Sequence, residues 1–222
     1  MFSPTQVPER APALSARTEL VIREVCESLA SRLSIRPQAI VLTGSFARNE
    51  GTTLMAGGRL RVLGDIECMV VFPRNTDRGP LQTSLNQQAR QLKEELASRG
   101  TDCDLEFGAI TSEYFHALRP QIFGYELLTH GRVVWGDATV LAGISKFAVS
   151  AIPRWDAWRM LNNRIVEQLD WADGIRAYNR DQLIRAYYQL VKCHIDLGTT
   201  LLIFAGKYED TYAARAQALV KW

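Results

Sequence analysis

The sequence predicts an α+β fold: a small mixed sheet flanked by helices, followed by a C-terminal helical bundle. Two observations carry this. Between residues 14 and 110, stretches with helical apolar spacing alternate three times with short β-rich runs, the order of a small layered α/β unit. After Tyr114 the texture changes, and one β-like piece, Gly131 to Gly136, precedes helical sequence almost to Trp222. The division that follows is a loose lead-in at 1–13, which carries Pro4, Pro8 and Pro12, a sheet-containing domain at 14–145 and a helical domain at 146–222.

Each element has its own signal. Ile22, Val25, Leu29 and Leu33 recur at helical spacing, and Pro37 precedes the apolar run Ala39 to Leu42, which reads as a buried strand. Gly44-Ser45 ends that strand and opens a short helix. Gly51 to Gly64 reads as a loop or hairpin insertion, and Asp65 to Phe72 as a strand closed by Pro73. Leu81, Leu85, Leu92 and Leu96 mark an amphipathic helix that Gly100 terminates, and Asp102 to Ile110 is a third strand. In the last long helix Leu183, Tyr187, Leu190, His194, Leu197 and Leu201 step by threes and fours and predict a packed face. On that stripe His194 is expected to be a core residue. His116 and His130 carry no spacing that points to a ligand.

Bulk properties narrow the function classes. A hydrophobic share of 47% and a charged share of 23% are those of a globular protein. A formal net charge of +2 without a basic stripe does not favour a nucleic-acid partner. Cys26, Cys68, Cys103 and Cys193 match no zinc spacing and read as reduced thiols. No apolar run approaches the roughly 18 residues that cross a bilayer, so no membrane partner and a cytoplasmic location are expected.

Three short segments carry the chemistry. Gly44-Ser45-Phe46-Ala47-Arg48 follows a strand: Gly44 lets backbone approach a ligand, Ser45 adds a hydroxyl donor, and Arg48 has the reach for a phosphate oxygen. Alone, a Gly-Ser after a strand is a turn. Asp65 and Glu67 lie two apart in the next strand, so both carboxylates leave one face, roughly 6–7 Å apart along the backbone. Two acids on one face of an apolar strand repel each other, and a hard divalent cation such as Mg²⁺ relieves that cost. The plain alternative is a solvated edge strand. Asp102, Asp104 and Glu106 then share one face of the third strand, opposite Cys103, Leu105 and Phe107. Amphipathic alternation explains the period but not why every polar position is acidic.

Taken together these residues resemble the DNA polymerase beta-type nucleotidyltransferase superfamily. Its signature is a helix-opening Gly-Ser, then Asp-x-Asp/Glu in the next strand, then an acid in a third; Gly44-Ser45, Asp65-x-Glu67 and Asp104 or Glu106 follow that order over about residues 38–110. The resemblance implies that Asp65 and Glu67 hold two Mg²⁺ ions, with Asp104 favoured as the third carboxylate and Glu106 its competitor. Gly44, Ser45 and Arg48 would bind the triphosphate of an NTP, expected to be ATP. The chain departs from the family at Asn49, where a glycine is common, and at Gly64, where a serine is common.

The helical half resembles the accessory domain of the small-molecule and antibiotic members. There Lys192 would reach the triphosphate, with Arg185, Gln189 and Asp196 on the same side and Arg164, Tyr208 and Arg215 as weaker candidates. The plainer reading of Lys192 and Asp196, at i and i+4, is a solvated salt bridge. The implied activity is transfer of a nucleoside monophosphate to a hydroxyl of a small-molecule acceptor. A protein hydroxyl is the next candidate acceptor. The non-enzymatic alternative is a nucleotide-binding or interaction module, against which the clustered carboxylates weigh.

Overall fold

A computed structural model describes residues 12–172 and 180–222 and has the predicted mixed α+β class. The elements run α1 (Pro12–Arg32), β1 (Ala39–Leu42), α2 (Gly44–Ala47), β2 (Thr53–Ala56), β3 (Arg59–Phe72), α3 (Arg78–Ser98), β4 (Thr101–Thr111), α4 (Glu113–His116), α5 (Ile122–His130), β5 (Arg132–Gly136), α6 (Arg154–Ala172), α7 (Arg180–Phe204) and α8 (Tyr212–Val220). Backbone contacts divide the chain into two units, one ending at Leu118 and resuming over His130–Ser145, the other formed by Arg119–Thr129 and Lys146–Trp222. Residues 119–129, expected in the sheet domain, therefore group with the helices.

In the first unit β3 is the central strand. It pairs antiparallel with β2 and β1 on one side and parallel with β4 on the other, while β5 extends the sheet beyond β1. The expected insertion is a hairpin, and β3 starts at Arg59 rather than at Asp65. Gly57 and Gly58 turn it with φ of 57° and 75°, the left-handed backbone that a two-residue hairpin loop requires. Alternation along β3 sends Leu60, Val62, Ile66, Cys68, Val70 and Phe72 into a core closed by Ile22, Val25 and Leu29 of α1 and Leu85 and Leu92 of α3. Helix α3 starts where Asp77 Oδ1 accepts from Gly79 N at 3.0 Å and stops before Gly100 at φ 81°. Gln82 of α3 covers part of β4: its amide donates to Phe107 O at 2.7 Å and accepts from Ala109 N at 2.8 Å, the pairing a neighbouring strand would make.

In the second unit α6 and α7 pack together. Buried Asp156 of α6 accepts from Ile122 N at 2.7 Å and so caps α5. Arg215 of α8 is buried and donates to Glu126 Oε1 and Tyr208 Oη, both at 2.6 Å. Arg164 of α6 donates to Asp196 of α7 at 2.7 Å and to Gln189 at 3.2 Å, and Gln168 donates to Gln189 O at 3.1 Å. These polar contacts turn the polar side of α7 toward α6, and the predicted packed face is the reverse of the one observed. Leu183, Tyr187, Leu190, Leu197 and Leu201 stand 45–70% exposed. His194, expected in the core, is exposed as well, its Nδ1 lying 2.8 Å from Leu190 O. Among the described residues no helix is long and apolar enough to cross a membrane.

Candidate active site

The acids share the sheet face opposite the α1/α3 core. On β3, Asp65 and Glu67 are half-buried while Gly64, Ile66 and Cys68 are buried, so the alternation read from sequence is the alternation of the strand. On β4 the parallel register sets Asp104 beside Asp65 and Glu106 beside Glu67. Between Arg61 and Asp65 the register slips, because β3 spends four steps where β4 spends two, from Asp102 to Asp104. Gly64 lies in this irregularity, immediately before Asp65. Bulges of this kind re-aim the side chains that follow them.

The two candidates for the third acid differ in their partners. Asp104 forms an ion pair with Lys93 of α3, and both side chains are about half exposed. Glu106 is itself exposed and lies close enough to Asp65 to feel its charge; its carboxyl is pushed above the usual range by partial desolvation, then by the Asp65 charge and hydrogen bonding with it. The structure thus brings Asp65 and Glu106 together and gives Asp104 a cation of its own. Behind them, the Cys103 thiol is pushed up to about 12 by burial and by the charges of Asp104 and Asp102.

Gly44 joins this face from β1. Its φ is 64°, backbone that favours glycine, and a Cβ there would lie 2.8 Å from Glu67 Oε1 and oblige the end of that side chain to shift. The turn is tied to the same residue, since Thr43 N donates to Glu67 O at 2.9 Å. Ser45 follows at the start of α2, half-buried, and its carbonyl accepts from Glu50 N at 2.7 Å. Arg48, assigned from sequence to a phosphate, donates from Nε to Glu50 Oε2 at 2.9 Å in a nearly buried pair. Asn49 has φ 57°, the backbone a glycine would adopt freely and that asparagine tolerates best among the other residues.

Lys192 lies on α7 in the other unit, its Nζ 5.8 Å from the Tyr188 ring centre. Asp196, expected beside Lys192, is the partner of Arg164. Tyr208 and Arg215, both buried, donate to the partly buried Glu126. Arg185 is half-buried on α7. Sequence reasoning missed Lys93, which sits eleven residues before Asp104 on the solvated side of α3 with no local signal to its role. It also missed that Cys26 and Cys68, forty-two residues apart, place their sulfurs 4.0 Å from each other in the core.

Among the described residues no three His, Cys, Asp or Glu side chains are gathered closely enough to hold a metal ion as they stand. The donor set nevertheless suits a hard cation. Asp65, Glu67 and Glu106 supply only carboxylate oxygens, and the rise at Glu106, from desolvation first and the Asp65 charge second, is a cost that a divalent ion relieves.

No protein-family model matches the sequence, and no curated protein matches it. Among solved structures, a crystal structure of a toxin-antitoxin with AMP-PNP resembles the chain at 18% identity, covering 70% of this chain and 98% of that one. The TM-score is 0.33, a likeness too weak to carry an argument about fold or chemistry.

Proposed function

We propose that the chain is a Mg²⁺-dependent nucleotidyltransferase that moves a nucleoside monophosphate, AMP in the first instance, from an NTP to a hydroxyl of a small-molecule acceptor. The observation that carries the reading is the carboxylate face itself: Asp65, Glu67 and Glu106 on adjacent parallel strands, with Gly44 pressed against Glu67. A surface that only needed solvation has no reason to crowd the carboxyls of adjacent strands toward one another.

Asp65 and Glu67, with Glu106, would hold the metal. When bound, Mg²⁺ neutralises charge on the triphosphate and acidifies the attacking hydroxyl. The chain's own residues do the rest. The Ser45 hydroxyl donates to a phosphate oxygen. The Thr43–Glu67 hydrogen bond keeps the Gly44 turn in register with the acids. Glu106, raised above the usual carboxylate range, is the third acid in this reading and accepts the acceptor's proton. Asp104, preferred on sequence, is held by Lys93 and takes the lesser role.

The test is transfer of label from α-³²P-NTPs to a panel of hydroxylated acceptors, with pyrophosphate release followed in parallel. Label transfer that Glu106→Gln reduces about 100-fold or more, and Asp104→Asn by less than about 10-fold, is expected. Equal losses in the two variants would return the third-acid role to Asp104. A second reading, a nucleotide-binding module without turnover, is favoured by one observation, the lack of a ready three-ligand metal group among the described residues. Binding of NTP with no label transferred to any acceptor, including proteins, would support it.

A further inference from the structure

We infer that Lys93 is a positioning residue, one that draws Asp104 away from the metal position and so assigns the third-acid role to Glu106. The inference rests on the metal reading of the acid face proposed above. By register Asp104 is the nearer acid: it is the β4 partner of Asp65, roughly 5 Å away between backbones, as adjacent strands lie. Glu106 is the partner of Glu67 and meets Asp65 only on the diagonal. Yet Glu106 is the acid that hydrogen-bonds with Asp65, while Asp104 is paired with the Lys93 ammonium. Proximity along the strands and the choice of partner therefore disagree, and Lys93 is the group that separates them.

The lysine stands there because of how α3 lies along β4. Gln82 and Lys93 are about three turns apart, so both leave one side of α3. The helix rises roughly 16 Å between them, and the strand from Ala109 back to Asp104 spans about the same length. Gln82 donates to Phe107 O and accepts from Ala109 N at the edge of β4 away from β3, and these two bonds set the register of helix against strand. That register delivers Lys93 to Asp104. An ammonium is a compact charge with three donors, and it satisfies a carboxylate much as a metal does. Asp104 must give up this partner before it ligates, whereas Glu106 is relieved of a like charge when it does. A half-exposed ion pair biases such a choice by up to about 5-fold.

Titration of the full chain with Mn²⁺ alone, the free ion read by electron paramagnetic resonance, tests this without any turnover. Glu106→Gln should weaken Mn²⁺ binding about 10-fold or more, as loss of a carboxylate ligand does. Adding Lys93→Met should recover about 3- to 5-fold of that loss, because Asp104 is released to stand in. Adding Asp104→Asn as well should remove the recovery, and Lys93→Arg in place of Lys93→Met should not produce it. Lys93 and Glu106 are exposed and Asp104 is half-buried on the same strand face as Glu106, so none of these changes reaches the core. No recovery in the Lys93→Met background overturns the inference. So does a recovery that survives Asp104→Asn, since it would come from the lost positive charge alone. A wild-type chain that binds no Mn²⁺ overturns the metal reading together with this one, whereas wild-type binding without recovery overturns the role of Lys93 only.

Discussion

At the scale of single residues, the carboxylate face depends on a glycine. Gly44→Ala places a methyl group against Glu67 and forces a side chain into φ 64°. A loss of about 1–3 kcal/mol is expected in urea unfolding, together with loss of NTP affinity as Glu67 is displaced. The raised Glu106 carboxyl has a pH signature. A group whose folded value lies above its unfolded value stabilises fully below the unfolded value, and that contribution is lost as pH rises through the folded one. Thermal midpoints should therefore carry a decline as pH rises above the ordinary glutamate range, and Glu106→Gln should flatten it. An unchanged slope in that variant would separate Glu106 from Asp65. Thiol chemistry offers a third check. Cys26, Cys68 and Cys103 are buried, the neighbouring Cys26 and then burial lift the Cys68 thiol and burial lifts that of Cys103, so only half-exposed Cys193 should react quickly with a disulfide reagent in the folded protein. Rapid release of more than one equivalent before denaturation would contradict that core.

At the scale of elements, periodicity served wherever one side of an element meets the core and the other does not. The α1 spacing, the β1 run and the Asp65–Glu67 alternation were legible because the core lies on one side of each. The β2–β3 hairpin was obscured by the four glycines between residues 51 and 64, which read as loop although two of them only turn the chain. The α7 face was misread because an apolar stripe states that a helix has something to bury and not what buries it. There the polar set Arg164, Gln168, Gln189 and Asp196 makes the contact with α6. Arg164 and Asp196 are only 11% and 14% exposed, so Asp196→Ala leaves a nearly buried guanidinium with Glu167, a half-exposed neighbour on its own helix, as its remaining carboxylate. A cost of about 1–3 kcal/mol is expected in thermal unfolding. Replacing both partners with apolar residues should recover most of it, and a variant pair no better than the single change would argue against the ion pair as the α6–α7 tie.

At the scale of the whole molecule, the acids come from separate stretches of chain that only the parallel β3–β4 pairing unites. Sequence supplied the residue types and their shared faces. It favoured Asp104 over Glu106 without sight of two tertiary contacts, Lys93 reaching Asp104 from α3 and Asp65 lying near Glu106, on which the proposed reading turns the preference to Glu106. The central claim is that this face binds a metal–triphosphate complex. Calorimetric titration of ATP with and without Mg²⁺, on the wild-type chain and on Asp65→Asn, tests it most directly. The account predicts Mg²⁺-dependent binding that weakens about 10-fold or more in the variant, in keeping with loss of a metal-held carboxylate. Binding of equal strength in the variant, or indifferent to Mg²⁺, would contradict it.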